Sequence, residues 1–283
     1  MKAYLINLDR AADRRNYMMQ KLSRLIPNIS VERAMCVDIK SPHWSAPSFV
    51  QAGRWRSDRW SLSASDIEIF RSHIDCWEKA AASGEAGLIL EDDLLFSDRF
   101  TEAIREMQKD TPFGVIHLDA VSAPLLLGAR ETQMDGFTLQ TIKSHTASAA
   151  AYIVSPDTAA RLLDGVRIER TVDDYLFDPT PSDRGARGHG LPILQIEPII
   201  AVQSQFAKYS DTTRTTPDFL EVTKRLDVSS RKARKFVGPW PYRLRKEILR
   251  AFYRRRLRKR IQATTIEGGR WASAQLPEEF IWR

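Results

Sequence analysis

Ala86-Gly87-Leu88-Ile89-Leu90-Glu91-Asp92-Asp93 is the stretch that decides the fold, because a short apolar run passes directly into three acids. The run follows Ser83-Gly84, a pair typical of a helix end, and its length and apolar content predict a central strand of an α/β sheet. Ligands in open α/β sheets bind beyond the carboxyl ends of the strands. Because the acids would emerge at that end, the stretch predicts a ligand site there.

The three acids also indicate what the ligand is. Like charges held close together raise each other's pKa unless a cation neutralises them. Mg²⁺ and Mn²⁺ prefer oxygen ligands and commonly bridge one or two carboxylates to substrate phosphates. Alternation at a strand end sends Glu91 and Asp93 to one side and Asp92 to the other, so we predict Mn²⁺ or Mg²⁺ on Glu91 and Asp93. The alternative is an acidic turn preceding the helix that begins near Arg99.

Strands and helices alternate outward from this stretch, which predicts an α/β fold with a sheet flanked by helices. The predicted strands cover residues 3–8, 31–37, 86–90, 115–118 and 149–154. The predicted helices cover residues 11–25, 63–82, 99–109 and 156–163. Ser63 or Ser65 is the expected N-cap of the second helix, and Ser155-Pro156 supplies a cap and a first-turn proline for the fourth.

Composition places the chain among ordinary globular proteins. Of its 283 residues, 43% are hydrophobic and 28% charged, which argues against wholesale disorder and against a membrane channel. The only cysteines, Cys36 and Cys76, form no metal-binding spacing and suit a reducing compartment. The first residues become polar too soon for a signal peptide, and no apolar run approaches the ~20 residues of a membrane-spanning helix. We therefore expect a cytoplasmic protein.

The charge of the chain is concentrated near its C-terminal end. Residues 231–260 contain fourteen Lys or Arg and one acid, whereas the whole chain carries a net charge of only +7. We therefore predict a main globular domain at residues 1–218 and a basic, helical C-terminal extension at residues 219–283. Apolar residues recur there mostly at steps of four, which predicts a basic amphipathic helix: Leu244, Ile248, Phe252, Leu257 and Ile261.

Such a helix suits an anionic membrane surface, and we expect residues 231–262 to bind one, at the inner face of the inner membrane. Two alternatives remain open: the helix packs on the main globular domain or another subunit, or its basic residues bind nucleic acid. Nothing else in the chain supports nucleic acid, so none is expected.

Six blocks, taken in order, resemble glycosyltransferase family 25, which includes lipooligosaccharide and lipopolysaccharide biosynthesis transferases. The match spans about residues 2–211, and its order is more specific than any single block. The blocks are Tyr4-Leu5-Ile6-Asn7-Leu8-Asp9-Arg10 with Arg14-Arg15, Leu62-Ser63 with Ser72-His73 and Trp77, Leu88 to Asp93, Ala151-Tyr152-Ile153-Val154-Ser155, Val172-Asp173-Asp174-Tyr175-Leu176, and Pro198, Ala201, Gln203 with Tyr209-Ser210-Asp211.

The resemblance implies a GT-A-like fold, a UDP-hexose donor (galactose or glucose), Mn²⁺ or Mg²⁺, and transfer with inversion to a lipopolysaccharide or lipooligosaccharide core sugar. Inversion in one displacement needs a base that is separate from the metal ligands. Asp173 and Asp174 are the candidates, with Asp174 preferred. The alternative for both is that they are first-turn helix acids, one of them a cap.

Further residues in these blocks are candidates for contacts with the nucleotide sugar. Of the three early arginines we prefer Arg10, which is nearest the strand end; their alternative is a solvated basic helix face. His73 has the alternative of an interior histidine beside Trp77. The full set of candidates for donor binding is Asn7, Arg10, Arg15, Asp38, His73, Asp92 and Gln203.

One departure from the wider fold class affects the metal. Many GT-A enzymes supply a late histidine as a further ligand, whereas residues 197–211 contain none, so the third ligand stays open. His189, in a glycine-flanked loop, is not assigned to it. The alternative to an enzyme is a non-catalytic nucleotide- or carbohydrate-binding scaffold with the same fold.

Overall fold

The structure, a computed structural model, describes residues 1–36, 45, 62–120, 123–178, 189–204 and 239–275. The predicted loop at residues 42–60 therefore lies almost wholly outside the described residues. So do the predicted domain boundary at residues 218 and 219 and the candidate Asp38.

The described residues form eleven strands and six helices, most of them in the order predicted. The strands are β1 (Lys2–Leu8), β2 (Val31–Cys36), β3 (Gly87–Glu91), β4 (Leu94–Phe96), β5 (Val115–His117), β6 (Leu125–Met134), β7 (Phe137–Ile142), β8 (Ala151–Val154), β9 (Ile193–Glu197), β10 (Ala201–Gln203) and β11 (Arg270–Ala272). The helices are α1 (Ala12–Leu25), α2 (Ala64–Ser83), α3 (Phe100–Lys109), α4 (Pro156–Leu163), α5 (Val172–Leu176) and α6 (Trp240–Ile266).

Nine of the strands form one mixed sheet in the order β11-β6-β7-β9-β5-β8-β3-β1-β2, and β10 pairs with β4 beside it. Strands β1, β2 and β3 are mutually parallel, and β8 lies antiparallel between β3 and β5. Strand β9 is parallel to β5. The carboxyl ends of β1, β3 and β5 therefore meet the amino end of β8 at one edge, and this edge carries the candidate site.

Helices cover both faces of the sheet, as the prediction of an α/β fold requires. Tyr4 and Ile89 point to the face that packs on α2, whereas Leu5 and Leu88 point to the face that packs on α1 and α3. This alternation makes two separate hydrophobic cores. In the core between the sheet and α2 the packing of β3 on the helix is close, since a Cβ on Gly87 would lie 2.9 Å from the Cβ of Ala80.

Two of the predicted helix starts are confirmed in detail. Ser63 caps α2 through a capping box in which its side chain accepts from the Asp66 amide and the Asp66 side chain accepts from the Ser63 amide. Ser155 caps α4, and Pro156 occupies the first turn. Local capping chemistry thus sets both helices, one of which packs beneath the site.

The C-terminal extension returns to the sheet. Strand β11 pairs antiparallel with β6, and Gln275 donates from its backbone to Glu197 at 3.0 Å. Arg270 forms an ion pair with the same carboxylate. Strand β11, after α6, is therefore part of the nine-stranded sheet, a pairing that the sequence pattern did not indicate.

Helix α6 itself divides into two parts. Its first half exposes Trp240, Leu244, Ile248 and Phe252, with 49–67% of each residue accessible. In its second half Leu257 and Ile261 are half-buried and Thr264 is buried. No helix in the described part of the chain is long and apolar enough to span a membrane.

Candidate active site

The three acids that end β3 separate to two sides, as strand alternation predicts. Gln203 donates from Nε2 to Oε2 of Glu91 at 3.1 Å, and its side chain also hydrogen-bonds Asp93. Asp92 faces the other way, toward Asn7 and Arg14. The prediction that Glu91 and Asp93 share a side is confirmed by their common partner.

Strand β10 brings Gln203 to these acids. It pairs with β4 so that Gln203 lies opposite Leu94, the residue directly after the acidic run. The Ser204 amide continues the contact by donating to the Asp93 carbonyl at 2.9 Å. The late block quoted from the sequence is therefore joined to the acidic run by main-chain pairing, which places Gln203 beside Glu91.

Glu91 and Asp93 lie where ionisation of both carboxyl groups is unfavourable. Burial raises the pKa of each carboxyl to about 8, and neighbouring acids add to the effect: Asp173 for Glu91, and Glu91 for Asp93. One oxygen of Asp93, Oδ1, is buried and has no hydrogen-bond partner. Two crowded carboxylates with an unpartnered oxygen are what a divalent cation would relieve, so the residues fit Mn²⁺ or Mg²⁺.

The protein ligands for such a cation are few. Among the described residues, no group of three or more His, Cys, Asp or Glu is arranged to hold a metal. A cation on Glu91 and Asp93 would therefore need further oxygen ligands from Gln203, from water or from substrate phosphates. That composition is typical of Mg²⁺ and Mn²⁺ sites in phosphate-handling enzymes.

Asp92 connects the acidic run to the first block of the chain. Asn7, almost fully buried at the end of β1, donates from Nδ2 to Asp92 Oδ2 at 2.6 Å and to the Ala11 carbonyl at 3.1 Å. Arg14 places Nη1 3.3 Å from Asp92 Oδ1. Burial raises the pKa of Asp92, although Arg14 and Asn7 oppose the rise.

The early arginines differ in exposure and position. The guanidinium of Arg14, on the first turn of α1, contacts Asp92 of the acidic run. Arg10 is exposed and Arg15 half-buried. The sequence could not distinguish them because the direction of α1, and with it the direction of each side chain, depends on the turn after β1.

His73 lies beneath Glu91 on helix α2. The ring is fully buried and stacks on Tyr152 with 5.6 Å between centroids. Tyr152 accepts from Trp77 Nε1 at 2.8 Å and lies 2.7 Å from His73 Nδ1. The tyrosine hydroxyl has one hydrogen, and His73 Nδ1 is the acceptor available to it.

That arrangement fixes the tautomer of His73. Nδ1 accepts, so Nε2 carries the proton, and it lies 3.8 Å from Oε1 of Glu91. Burial lowers the pKa of His73 to about 4, so the ring is neutral at neutral pH. His73 is therefore an interior histidine that also turns an N–H toward the acidic run, and both interpretations of the sequence describe part of its position.

Helix α5 supplies the second pair of acids, Asp173 and Asp174. Its N-cap is Thr171, whose side chain accepts from the Asp174 amide, so neither aspartate acts as the cap. The two side chains diverge. Asp173 accepts from the Ser148 amide at 3.2 Å, whereas Asp174 Oδ1 lies 2.8 Å from His145 Nε2.

The pKa values of the two aspartates diverge with their surroundings. Burial raises the pKa of Asp173, partly opposed by the hydrogen bond from Ser148. Burial would also raise the pKa of Asp174, but the hydrogen bond and charge of His145 lower it overall. The same pairing outweighs burial and raises the pKa of His145. The charge of Asp173 acts on Glu91 and raises its pKa, whereas Asp174 is paired with His145.

Behind the acids lies a buried histidine and aspartate, His117 and Asp119. Gln195 donates to three carbonyls, those of His117, Asp119 and Ile196, which leaves its Oε1 facing His117 Nδ1 at 2.9 Å. His117 Nε2 faces the Ser148 carbonyl at 2.9 Å and Asp119 Oδ1 at 2.7 Å. Because both ring nitrogens face acceptors, His117 is an imidazolium paired with Asp119.

Ser148 joins these groups to one another. Its hydroxyl donates to Asp119 Oδ2 and lies 3.4 Å from Gln203 Oε1. Its backbone φ of 80° is the left-handed conformation, which costs a non-glycine residue on the order of 1–3 kcal/mol. The surrounding hydrogen bonds hold it there.

The sequence pattern missed His117, Asp119, Ser148 and His145. A signal existed for Asp119, because it follows the predicted strand at residues 115–118 as the acidic run follows β3. No local signal marks Ser148, since its backbone conformation depends on partners distant in the chain. His145 precedes β8 in an unpatterned stretch that meets Asp174 only in the folded protein.

Comparisons with known proteins place these residues in a family. The family described as "Glycosyltransferase family 25 (LPS biosynthesis protein)" matches residues 1–176. A human protein named "Inactive glycosyltransferase 25 family member 3" is 24% identical, with 76% of this chain and 39% of that protein covered. A rat protein named "Probable inactive glycosyltransferase 25 family member 3" is 25% identical, with 56% and 30% covered.

The chain thus spans about two fifths or less of the length of these curated relatives. Among solved structures, mannose-1-phosphate geranyltransferase from Thermus thermophilus aligns with a TM-score of 0.34 at 11% identity. That alignment covers 71% of this chain and 75% of the other.

Proposed function

Because the chain belongs to glycosyltransferase family 25, we propose that it is an inverting transferase that moves a hexose, galactose or glucose, from a UDP-sugar. One observation carries the proposal. Asp93 is buried and Glu91 half-buried on one side of a strand end, where they share Gln203 and stay crowded unless a cation joins them. Such a pair suits a nucleoside diphosphate bound through a divalent metal.

Glu91 and Asp93 would hold Mn²⁺ or Mg²⁺, with further oxygen ligands from water or substrate phosphates. Stabilisation of the charge on the departing diphosphate is the chemistry that such a cation supplies when bound. Arg14 and Asn7 hold Asp92 on the opposite side of the run. We assign this second side to the nucleoside, with Asn7, Arg10, Arg15 and Asp92 as its candidate contacts.

The acceptor base is the second role that an inverting reaction requires. Asp173 is the better candidate, because its charge acts on Glu91 of the acidic run and its own pKa is raised. A raised pKa makes a carboxylate a stronger base, whereas the pairing of Asp174 with His145 lowers its basicity. We therefore propose Asp173 as the base that takes the proton of the acceptor hydroxyl, with Asp174 as the residue that positions His145.

The proposed acceptor is a core sugar of lipopolysaccharide or lipooligosaccharide, in accordance with the family description. Such an acceptor is confined to a membrane, and helix α6 offers a surface for it. Trp240, Leu244, Ile248 and Phe252 form an exposed apolar stripe at four-residue spacing among arginines. We propose that this half of α6 lies on an anionic leaflet, at the inner face of the inner membrane.

The transfer reaction is tested by incubating the purified chain with Mn²⁺, a panel of UDP-hexoses and de-acylated core oligosaccharide. We expect one UDP-hexose to be consumed, UDP to be released, and a β product to form from an α donor, as detected by NMR of the anomeric proton. Retention of the anomeric configuration would contradict the inverting mechanism. Failure of every donor to release UDP would contradict the transferase itself.

The membrane surface is tested separately by sedimentation with vesicles containing anionic phospholipid. Wild-type protein should sediment, and less so at high salt because screening weakens charge attraction. Ile248→Ser with Phe252→Ser should weaken binding at least a hundredfold, since each side chain contributes about 1.5–3 kcal/mol when fully buried and about 1.4 kcal/mol is a factor of ten. Ala263→Ser, on the exposed surface of the same helix, is the matched control. Equal binding by all three proteins would contradict the proposal that the apolar stripe of α6 binds the membrane.

A non-catalytic scaffold is the second candidate, and a specific observation favours it. The human and rat relatives carry the word "inactive" in their names. A scaffold would bind nucleoside diphosphate with Mn²⁺ but release no UDP from any donor in the presence of acceptor. The transferase proposal requires both binding and release, so the two candidate functions are separated by the same pair of measurements.

A further inference from the structure

The two pairs of acids lie on different elements, one at the end of β3 and the other on α5, and Ser148 contacts Asp173 of the helix pair and Gln203, the neighbour of the strand pair. Its backbone amide donates to Asp173 Oδ2 at 3.2 Å. Its hydroxyl lies 3.4 Å from Oε1 of Gln203, the residue whose amide nitrogen bonds Glu91. Ser148 is thus a single residue through which the positions of both pairs are related.

The geometry of Ser148 is unusual for its residue type. A φ of 80° is open to glycine but strained for a side chain with a Cβ. Strained backbone conformations persist only where surrounding contacts hold them, and they cluster at functional sites. Here the conformation turns the amide toward Asp173 while the carbonyl points back to His117.

The contacts that hold Ser148 come from a buried ion pair. His117 Nε2 donates to the Ser148 carbonyl, and Asp119 accepts from the Ser148 hydroxyl. Gln195 locks the other side of the His117 ring. His117 and Asp119 are both fully buried, so the pair that holds Ser148 is rigid. Asp119 Oδ2 accepts from the Ser148 hydroxyl while Asp119 Oδ1 lies 2.7 Å from His117 Nε2, so the buried pair contacts Ser148 at both its hydroxyl and its carbonyl.

We propose that Ser148 is a positioning residue that sets Asp173 relative to Glu91 and Gln203, and that the buried His117–Asp119 pair holds it in the left-handed conformation this requires. The inference rests on the proposed transferase function, since it assigns Asp173 the role of base. The backbone amide of Ser148, a residue outside α5, would then orient the carboxylate of the base. Misplacement of a reacting group by about 1 Å can lower a rate about a hundredfold.

Substitutions at Ser148 separate the backbone conformation from the side chain. Ser148→Ala keeps a Cβ but loses the bond to Asp119, so its backbone should relax and turn the amide away from Asp173. Ser148→Gly removes more of the side chain yet allows a positive φ without strain. The proposal therefore predicts that the glycine variant is the more active one.

The experiment measures kcat and the KM for the donor, together with the melting temperature, of the whole chain. We expect Ser148→Ala to lower kcat about 30-fold and Ser148→Gly to stay within about fivefold of wild type, with KM within about threefold for both. Ser144→Ala is the matched control, since Ser144 is a buried serine whose hydroxyl accepts from the Leu126 amide. It should lower the melting temperature and leave kcat unchanged.

Asp119→Asn provides a second test should Ser148→Ala fail to fold. It conserves size and removes the charge that pairs with His117, and we expect kcat to fall about tenfold at unchanged KM. Wild-type kcat in Asp119→Asn, or equal kcat in Ser148→Ala and Ser148→Gly, would overturn the positioning role. An inactive wild type would instead overturn the proposed function, and this inference with it.

Discussion

Two pairs of acids meet at the carboxyl edge of the sheet, and the pairs differ in their hydrogen-bond partners and in the shifts of their pKa values. Glu91 and Asp93 share one neighbour, Gln203, and burial raises the pKa of both to about 8. Asp173 and Asp174 lie side by side in sequence but have separate partners, Ser148 and His145, and their pKa values move in opposite directions.

The difference indicates a difference in role. A pair with the same surroundings on both members is suited to sharing one ligand, and a cation is the ligand that removes their mutual repulsion. A pair whose surroundings drive the pKa values apart is suited to two distinct tasks. We therefore assign the strand acids to the donor and the helix acids to the acceptor side.

The largest expected effect comes from breaking the strand pair. Asp93→Asn removes one charge from the proposed metal site, and we expect kcat for transfer to fall about 10³-fold, because electrostatic stabilisation of the leaving group is lost. Chelation of divalent metal from wild type should have an effect at least as large. Asp110→Asn, an exposed acid after α3, is the matched control and should be silent. Wild-type activity in Asp93→Asn would place the metal elsewhere.

Breaking the helix pair should lower kcat by a smaller factor. Asp173→Asn removes the proposed base, and we expect kcat to fall about 10²-fold while donor KM changes little. Transfer assays at varied donor concentration measure both quantities. A rise in donor KM with unchanged kcat would instead assign Asp173 to the donor, and the contrast between the pairs would disappear.

Stability offers a third way to compare the pairs. The raised pKa values of Glu91 and Asp93 mean that the folded state binds more protons than the unfolded state between about pH 4 and about pH 8. Stability without metal should therefore fall as pH rises through this window.

Asp93→Asn should remove part of that dependence and stabilise the metal-free protein by on the order of 2 kcal/mol at pH 8, since one pKa unit corresponds to about 1.4 kcal/mol. Urea unfolding at pH 5 and pH 8, with a chelator present, measures the free energy of unfolding of both proteins. Added Mn²⁺ should stabilise wild type and have little effect on the variant. A wild type that is more stable at pH 8 than at pH 5 would contradict the crowding of these carboxylates.

The smallest effect is expected at the exposed ion pair. His145→Ala leaves Asp174 without its partner, 25% exposed and able to recruit water, so we expect kcat to change by less than about fivefold. A loss comparable to that of Asp173→Asn would make His145 and Asp174 the acid–base pair. That outcome would restore the preference for Asp174 as base that the sequence alone suggested.

Much of the catalytic half of the fold follows from local patterns. The run ending in Glu91 predicts a buried strand with acids at its carboxyl end, and alternation separates Asp92 from its neighbours. Ser63 and Ser155 mark helix starts that the structure reproduces. These features depend on residues close in sequence, where periodicity and capping are informative.

The missed features depend on contacts between distant segments. Strands β6, β7, β9, β10 and β11 are short or irregular and gain their pairing from the sheet. Ser148 adopts its conformation because His117 and Asp119 hold it, and Arg14 faces Asp92 because of how α1 leaves β1. Such positions carry no local signal, so sequence patterns predicted the acidic run better than its surroundings.

Binding of UDP to the metal-free and Mn²⁺-loaded chain, measured by calorimetry on wild type and Asp93→Asn, tests the central claim most directly. We predict that wild type binds UDP only with Mn²⁺ and that Asp93→Asn loses this dependence together with most of the affinity. Equal UDP binding by both proteins, with or without Mn²⁺, would contradict a donor site built on Glu91 and Asp93.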